Sequence, residues 1–390
     1  MKRSEREILT THTGSLPRAG ALMAILAKNE RGEPVDSAEL NRSIRPAVEE
    51  TVRRQVECGI TVINDGEQGK TNFSSYHYHR LTGFSHQPSP PSKKIHPCQA
   101  EAVDFPDFFF YRWGPAAARG PTNEKFKMPT EDLCCTGQIG WKDFSEVERD
   151  IANLKDATRN LRVADVFVTA ISPGTYLPRN VHYRSDDEYL HAMAETMARE
   201  YQAIVNAGFV LQIDAPDLTV YYRMEECTVE QHLAYMGSRV DMINYATRDI
   251  PPEMVRVHAC WGADEAPHHR DIPLKEIVHE LLRLKPAGLM VPGANGRHSH
   301  EWKLWQTVKL PANKVLIPGV IDSTTNIIEH PEAVAERILN YASVVGRERV
   351  IGGVDCGLGY LADPPIVWAK LRSLSEGARL ATQALWAKAA

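Results

Sequence analysis

The chain has no excess of basic residues and no long apolar run. It carries 45 Lys and Arg against 50 Asp and Glu in 390 residues, a formal net charge of −5, with the basic residues scattered. We therefore expect neither a nucleic-acid partner nor an anionic membrane surface. No run reaches the roughly 20 apolar residues of a membrane span, and "MKRSEREILTTHTG" lacks the apolar core of a signal peptide. A cytoplasmic location is the resulting expectation.

The sequence also lacks the cysteine pattern of a disulfide framework. Its seven cysteines form an odd, widely spaced set: Cys58, Cys98, Cys134, Cys135, Cys227, Cys260 and Cys356. In a chain of this size such a set indicates reduced thiols, most of them buried as small hydrophobic side chains. With 43% hydrophobic residues, the chain is long enough for one large or two ordinary domains.

Helical and strand patterns alternate along the chain. The first helix has apolar residues at helical spacing, namely Leu40, Ile44, Val48, Val52 and Val56. Gly59 fits its end, and "ITVINDGEQ" follows as a strand. The same unit recurs with Gly208 between "DEYLHAMAETMAREYQAIVNAG" and "FVLQIDAPDL", and with Pro331 and Gly346 bounding the helix before "RVIGGVDCG".

Eight β-branched runs are strand candidates. They lie at residues 9 to 14, 61 to 66, 166 to 172, 210 to 214, 255 to 260, 288 to 293, 315 to 322 and 350 to 355. Eight βα units in about 350 residues favour an α/β fold of the TIM (β/α)8 barrel type, formed by the chain 1–390 as one domain. A doubly wound open sheet is the alternative, but the first βα turn has no GxGxxG phosphate loop.

Residues 85–145 interrupt this alternation. Their Pro and Ser content and the aromatic cluster "FPDFFFYRWG" predict an insertion of loops and short strands between barrel strands 2 and 3. In a barrel such an insertion lies over the active face, where it either shapes the substrate pocket or forms an extra packing hairpin.

Polar residues follow the predicted strands. In a barrel, seven of them would face one mouth: Ser15, Glu67, Asp214, His258, Cys260, Asp322 and Cys356. The side chains of His258 and Cys260 leave their strand on the same face, because side chains alternate with period two. Imidazole nitrogen and thiolate sulfur are zinc ligands, and a catalytic zinc keeps three protein ligands and one open position. The pattern predicts either a zinc site completed by Cys356 or a packed cysteine beside a hydrogen-bonded histidine.

Six short blocks occur in the order found in the catalytic barrel of cobalamin-independent methionine synthase. They are "THTGSLPR" (11 to 18), "DGEQGK" (65 to 70), "QIDAPDL" (212 to 218), "HACWG" (258 to 262), "GVID" (319 to 322) and "DCGLG" (355 to 359). The chain resembles a stand-alone member of that family, and in particular its short methionine synthase II-like proteins, which also resemble epoxyalkane:coenzyme M transferase. The resemblance spans residues 8 to 375 and leaves 85–145 unmatched.

The resemblance implies a set of site residues. The implied ligands of zinc (Zn²⁺) are His258, Cys260 and Cys356. It further implies that the backbone of Ser15 holds a substrate carboxylate, and that Glu67 and Asp214 accept the ammonium group of an amino-acid thiol such as homocysteine. Without the resemblance, Asp214 would be interpreted as a helix cap and Glu67 as a solvated charge. A zinc-bound thiol is deprotonated, so zinc can deliver a sulfur nucleophile to an alkyl donor.

Two positions depart from the family pattern. Pro292 stands where the methionine synthases have a glutamate zinc ligand, which leaves the fourth position to His298, His300, Glu301, water or the substrate; free surface histidines are the other interpretation of the first two. Thr324 stands where a histidine is thought to help protonate the departing folate nitrogen. Its absence weakens the case for methyltetrahydrofolate as donor.

The proton donor must then come from other residues. Asp322 remains a catalytic candidate, and the first two βα loops offer His12, Tyr76, His77 and Tyr78, unless these four serve only loop packing. The preferred hypothesis is methyl transfer to homocysteine or a similar thiol. The alternatives are epoxide opening by a small thiol such as coenzyme M, and a barrel that binds metal or ligand without catalysis. The oligomeric state does not follow from the sequence.

Overall fold

The computed structural model describes residues 1–88, 99–113, 131–224, 227–359 and 363–387. In chain order the strands are β1 (Leu9–Thr10), β2 (Val62–Ile63), β3 (Leu81–Pro88), β4 (Glu131–Trp141), β5 (Asp165–Ile171), β6 (Arg179–Asn180), β7 (Val210–Asp214), β8 (Val255–His258), β9 (Gly288–Val291), β10 (Val315–Ile321) and β11 (Ile351–Val354). The α-helices are α1 (Gly20–Glu30), α2 (Ser37–Glu57), α3 (Gln99–Asp104), α4 (Pro106–Trp113), α5 (Ser145–Thr158), α6 (Asp186–Asn206), α7 (Val220–Met224), α8 (Val229–Ala246), α9 (Leu274–Leu282), α10 (Pro331–Val345) and α11 (Pro364–Trp386).

Eight parallel strands form a TIM barrel, as predicted. They run in the order β1, β11, β10, β9, β8, β7, β5, β2, and each of the eight predicted runs overlaps one of them. Between β1 and β2 the barrel is closed by threonine side chains. Thr10 N donates to Thr61 Oγ1 (2.7 Å), and Thr61 N donates to Thr10 Oγ1 (3.1 Å). Helices cover the outside of the barrel. Because the strands are parallel, their carboxyl ends meet at one mouth.

The predicted helices end where glycine permits a left-handed backbone. Asp36 caps the N-terminus of helix α2, because its side chain accepts from Ala38 N (3.0 Å), and Gly59 follows the end of the helix with φ +80°. Gly208 after α6 and Gly346 after α10 both have φ +91°. Val56 does not share the buried face of α2 and is 39% exposed. Steps of four residues rotate by about 40° each, so the fifth member of the series has left that face.

A hairpin lies between barrel strands β2 and β5. Strand β3 pairs antiparallel with β4, and β4 pairs parallel with the short β6. Trp141 Nε1 donates to the Thr196 carbonyl of α6 (2.8 Å), which fastens the hairpin to the barrel wall. Residues 89–98 and 114–130, part of the predicted insertion 85–145, lie outside the described residues. The division of the chain at these boundaries stays a prediction.

The core has two parts. One fills the interior of the barrel with Leu9, Val62, Phe167, Val210, Met290, Val315, Ile317 and Ile351. The other packs the outer faces of the strands against the helices. Across the described ranges, no helix combines the length and the apolar character required to cross a bilayer.

Candidate metal centre

Three potential metal ligands meet at the mouth of the barrel. His258 is the last residue of β8, Cys260 follows two residues later, and Cys356 comes two residues after β11. The sulfur atoms of the two cysteines lie 3.1 Å apart, and ligand atoms of all three residues lie within 4.8 Å of one another. Ligands around a tetrahedral zinc ion are separated by about 3.3 to 3.8 Å. The two thiols, the imidazole and their spacing therefore fit one thiophilic metal ion after a small outward shift of sulfur.

Asp214 orients the histidine of this cluster. Its Oδ1 lies 3.1 Å from His258 Nδ1 and accepts 2.8 Å from Gln212 Nε2. The other ring nitrogen, Nε2, lies 3.2 Å from the Asp355 carbonyl. A carboxylate that accepts from one nitrogen of a histidine fixes the ring and leaves the second nitrogen to a metal. Asp214 thus occupies the position of an outer partner of a metal ligand.

The cluster favours negative charge on sulfur. The neighbouring thiol of Cys356, together with the imidazole of His258, lowers the pKa of Cys260 well below its ordinary range. Burial opposes a charged imidazole, but Cys260 and Asp214 outweigh it and raise the pKa of His258 to about 10. A buried thiolate held by a proton on its histidine partner is the charge arrangement that a divalent cation can replace, because metal binding displaces such protons.

A cavity of about 40 Å³ opens beside the cluster. Its lining residues are Thr13, Ser15, Glu67, Phe73, Asp214, Pro216, His258, Cys260, Cys356 and Gly357. Within the described part of the chain, three buried polar atoms of this lining have no hydrogen-bond partner: Thr13 Oγ1, Ser15 Oγ and Glu67 Oε2. Unsatisfied buried polar atoms are costly, so their convergence on one cavity indicates a polar ligand. Six of the seven strand-end residues named from the sequence line this cavity.

Asp322 is the seventh, and it lies outside the cavity lining. Its Oδ1 accepts from the backbone N and the hydroxyl of Thr324, both at 2.7 Å. His12 also lies outside. Its Nδ1 accepts from Gly14 N (3.1 Å), so its Nε2 donates to Gln55 Oε1 (2.7 Å), and burial lowers its pKa to about 4. His12 is therefore a neutral, fully paired histidine that holds the first loop.

The aromatic candidates of the second loop are also engaged elsewhere. The hydroxyl of Tyr76 lies 3.2 Å from both carboxylate oxygens of Glu200, and that of Tyr78 donates to the Tyr176 carbonyl (3.2 Å). Burial raises the pKa of both phenols and lowers the pKa of His77 to about 3. None of the three lines the cavity, so their positions match the packing interpretation.

The residues near Pro292 supply no fourth ligand to the cluster in the part of the chain that the structure describes. His298 is buried rather than free at the surface, with Nδ1 at 2.9 Å from Glu301 and Nε2 at 3.1 Å from Asp271. Glu301 also accepts from Leu274 N (2.7 Å), while His300 is exposed. If the cluster binds a metal ion, these contacts would leave its fourth position to water or a substrate.

The sequence did not single out several residues that shape the site. Asp355 holds the loop after β9, because its carboxylate accepts from the backbone N of Gly293, Ala294 and Asn295 at 2.8 to 2.9 Å. The sequence signal that could have identified Asp355 was its position at the end of a predicted strand, directly before Cys356. Arg256 lies inside the barrel below the cavity, fully buried, and donates to Gln212 Oε1 (2.9 Å). No comparable sequence signal marked Arg256, because it lies within a strand and not at its end.

Fold and site together define a TIM-barrel protein whose mouth carries a His/Cys/Cys cluster spaced for one metal ion. The chain is 24% identical over 404 aligned residues to 2-hydroxypropyl-CoM lyase of Xanthobacter autotrophicus, covering 96% of this chain and 94% of that protein. It is 22% identical over 378 residues to methionine synthase of Sulfurisphaera tokodaii, covering 96% and 93%. No protein-family model matches.

A solved structure shares the fold. The structure of a B12-independent methionine synthase from a Shewanella species, in complex with selenomethionine, matches with a TM-score of 0.72 at 20% identity, covering 98% of this chain and 100% of that one. As the six blocks indicated, the chain is similar to a methionine synthase and to 2-hydroxypropyl-CoM lyase over nearly its whole length.

Proposed function

We propose that the protein is a zinc-dependent enzyme that transfers an alkyl group, in the simplest case methyl, to the sulfur of a small thiol such as homocysteine. One observation carries the proposal: a His/Cys/Cys cluster and a buried carboxylate, Glu67, line the same small cavity, and one oxygen of that carboxylate has no hydrogen-bond partner among the described residues. The relatives support an enzyme of the transferase type.

The residues of the cluster have distinct tasks in this proposal. His258, Cys260 and Cys356 would hold the zinc ion, which when bound supplies the positive charge that keeps a thiol deprotonated near neutral pH. Asp214 keeps the imidazole of His258 in the orientation needed for binding. Asp355 keeps the neighbouring loop in place through three backbone amides.

Two carboxylates, Glu67 and Asp214, indicate which kind of thiol is the acceptor. Glu67 is 2% exposed, and one of its oxygens has no hydrogen-bond partner in the residues that the structure describes. Burial raises its pKa, and the nearby charge of Asp214 adds to this effect. Two neighbouring buried carboxylates are stabilised by a cation between them. An ammonium group beside a thiol, as in homocysteine, supplies that cation.

A larger cavity near the thiol site is a candidate for binding the alkyl donor. A second cavity of about 470 Å³ shares Pro216 with the small one. Aromatic and arginine side chains contribute to its lining, among them Tyr176, Tyr189, Tyr221, Tyr235 and Arg239. The cavity beside the cluster holds only a few atoms, so the rest of a substrate would need further space, for which the larger cavity, also lined by Pro216, is the candidate. This arrangement suits a reaction between two small molecules.

Epoxide opening by a small thiol is the second candidate. It is favoured by Thr324, which stands where the methionine synthases carry a histidine thought to help protonate the folate nitrogen and whose hydroxyl donates to Asp322, and by the similarity to 2-hydroxypropyl-CoM lyase. An epoxide donor needs a proton on its own oxygen rather than on a tertiary amine. The larger cavity is open to either donor.

Product analysis by mass spectrometry tests the proposal. The zinc-loaded protein is incubated with homocysteine and methyltetrahydrofolate in mono- and polyglutamate forms, and separately with an epoxide and coenzyme M. We expect an S-alkylated product in one pair, lost in Cys260→Ser and kept in Cys58→Ser, a matched change at a buried cysteine in contact with Trp368. Alkylation that persists in Cys260→Ser would contradict the assignment of the site.

A further inference from the structure

A buried lysine lies behind the cavity without lining it. Lys70 is 4% exposed, and its Nζ donates to the carbonyl (2.6 Å) and to the hydroxyl oxygen (3.0 Å) of Thr169 on β5. The ammonium also lies 4.2 Å from the centre of the Tyr76 ring. A lysine is rarely buried unless its charge is compensated, so its position calls for a reason.

The hydrogen bonds run in one direction from this lysine to Glu67. The hydroxyl of Thr169 lies 2.9 Å from Glu67 Oε1. A threonine hydroxyl has one proton, and an ammonium can only donate. Thr169 Oγ1 therefore accepts from Lys70 and donates to Glu67, which fixes one of the two carboxylate oxygens.

The second oxygen of Glu67, a residue that lines the cavity, is left without a hydrogen bond in the part of the chain that the structure describes. Oε2 has no hydrogen-bond partner among the described residues, and the nearest cation, Arg18, lies 4.0 Å away. Gly14 makes room for this arrangement, because a Cβ there would lie 2.4 Å from Thr169 Cγ2 and 3.2 Å from Glu67 Oε1.

The backbone of Glu67 is held as firmly as its side chain. Its φ of +57° is in the left-handed region, which a residue with a side chain seldom adopts. The Asp65 carboxylate accepts from its N (2.9 Å), and Arg18 donates to its carbonyl (3.0 Å). Strained backbone of this kind persists where the surroundings fix it, and it is concentrated at functional positions.

We propose that Lys70 is a positioning residue which, through Thr169, points the free oxygen of Glu67 into the cavity and so makes the site select thiols that carry an ammonium group. The inference rests on the proposed function, since it concerns the acceptor of that reaction. The charge of Lys70 also offsets the effect of burial, which raises the pKa of Glu67, and thereby favours the ionised carboxylate.

The test compares Thr169→Val with Thr169→Ser in the zinc-loaded protein. Valine keeps the shape and removes the hydroxyl, whereas serine keeps the hydroxyl. Dissociation constants are measured by calorimetry for homocysteine and for 4-mercaptobutanoate, which is homocysteine without its amino group. We expect Thr169→Val to weaken homocysteine about tenfold and 4-mercaptobutanoate less than about twofold, as for one lost hydrogen bond to a charged group. Thr169→Ser should keep the preference of the wild type.

Equal weakening of both thiols, or an unchanged preference in Thr169→Val, would overturn the inference. Lys70→Met should reduce the preference in the same way, and Lys70→Arg should restore part of it. A crystal structure of Thr169→Val adds a readout that needs no substrate: the Glu67 carboxylate should rotate, and an unmoved carboxylate would refute the relay. If the wild type itself shows no preference for homocysteine, the amino-thiol acceptor fails and the selection fails with it, while alkylation of other thiols stays possible.

Discussion

Asp214 is buried and contacts the imidazole of His258. A substitution at Asp214 should therefore affect the histidine as well as any bound substrate. Its carboxylate accepts from Gln212 and lies 3.1 Å from His258 Nδ1. An effect of Asp214 on substrate binding would therefore be mixed with an effect on the metal. Glu67, which has no contact with the cluster in the structure as described, is the residue at which the two effects separate.

We predict that Asp214→Asn lowers zinc affinity by about ten- to a hundredfold, because the amide no longer accepts a charge-assisted bond from the imidazole. Competition with a chelator of known affinity measures the change. Asp187→Asn, at an exposed position of α6, is the matched control and should bind zinc as the wild type does. An Asp214→Asn variant with wild-type affinity would remove Asp214 from the metal site.

The roles of individual residues could be predicted only in part. Strand periodicity correctly put His258 and Cys260 on one face, because side-chain alternation is a local property. Glu67 is 2% exposed and not the solvated charge that its position would otherwise suggest. Asp214 is 7% exposed, and its Oδ1 contacts the side chains of Gln212 and His258. Burial depends on neighbours such as Thr169, about a hundred residues away in sequence, and no local pattern reports it.

At the scale of elements, a buried charged cluster joins the loops after β8 and β9. His298 lies between Asp271 and Glu301, and Glu301 also accepts from Leu274 N at the start of α9. Burial disfavours the charged ring, but the hydrogen bonds to both carboxylates outweigh it and raise the pKa of His298 from 6.5 to about 9. The cluster thus ties the loop that carries Cys260 to the next βα unit.

This shift predicts how stability depends on pH. A group whose pKa rises on folding contributes fully below its unfolded pKa, so the contribution of His298 is complete below pH 6.5 and disappears as the pH rises through about 9. The free energy of unfolding of His298→Gln should fall below that of the wild type by about 3 kcal/mol under pH 6.5. The difference should shrink as the pH rises from 6.5 to about 9 and should be lost above that. Denaturant unfolding at a series of pH values measures it.

The exposed His300 supplies the control, because His300→Gln should leave the free energy of unfolding unchanged at every pH. If the loss of unfolding free energy in His298→Gln grew between pH 6.5 and 9, the imidazole of His298 would not be charged in the folded protein.

The elements themselves were the most predictable part of the molecule. Each predicted strand run overlaps a strand, and Gly59, Gly208 and Gly346 follow their helices with positive φ. The strand ends were placed too far along the chain: β1 stops at Thr10 and β2 at Ile63, because the following residues leave the sheet to build the mouth. Hydrophobic patterns continue into such loops, so they cannot mark where pairing stops.

At the scale of the whole molecule, the barrel depends on a closure made by side chains. Thr61 Oγ1 accepts from Thr10 N (2.7 Å) and donates to the Thr10 carbonyl (3.2 Å), between the first and second barrel strands. We predict that Thr61→Val destabilises the fold by about 1 to 3 kcal/mol, because both backbone groups of Thr10 lose a partner. Thr61→Ser should cost less, and the urea midpoint measures both. Equal midpoints would mean that packing alone closes the barrel.

The βα rhythm predicted this architecture, but not how the segment between strands 2 and 3 docks. Glu101 of α3 is fully buried, 3.8 Å from Arg223, while Asp104 pairs with Arg270 at 2.6 Å. Such ion pairs join residues more than a hundred positions apart, so composition and spacing cannot reveal them. That this segment shapes the substrate pocket stays a prediction from the sequence.

The most direct measurement of the central claim is zinc X-ray absorption on the protein with and without homocysteine. The account predicts two sulfur ligands at about 2.3 Å in the free protein, from Cys260 and Cys356, and three once the thiol is added. It also predicts loss of the metal in Cys356→Ser. A protein that takes up no zinc, or a sulfur count that stays at two with saturating homocysteine, would contradict the claim that this cluster presents a thiol for alkylation.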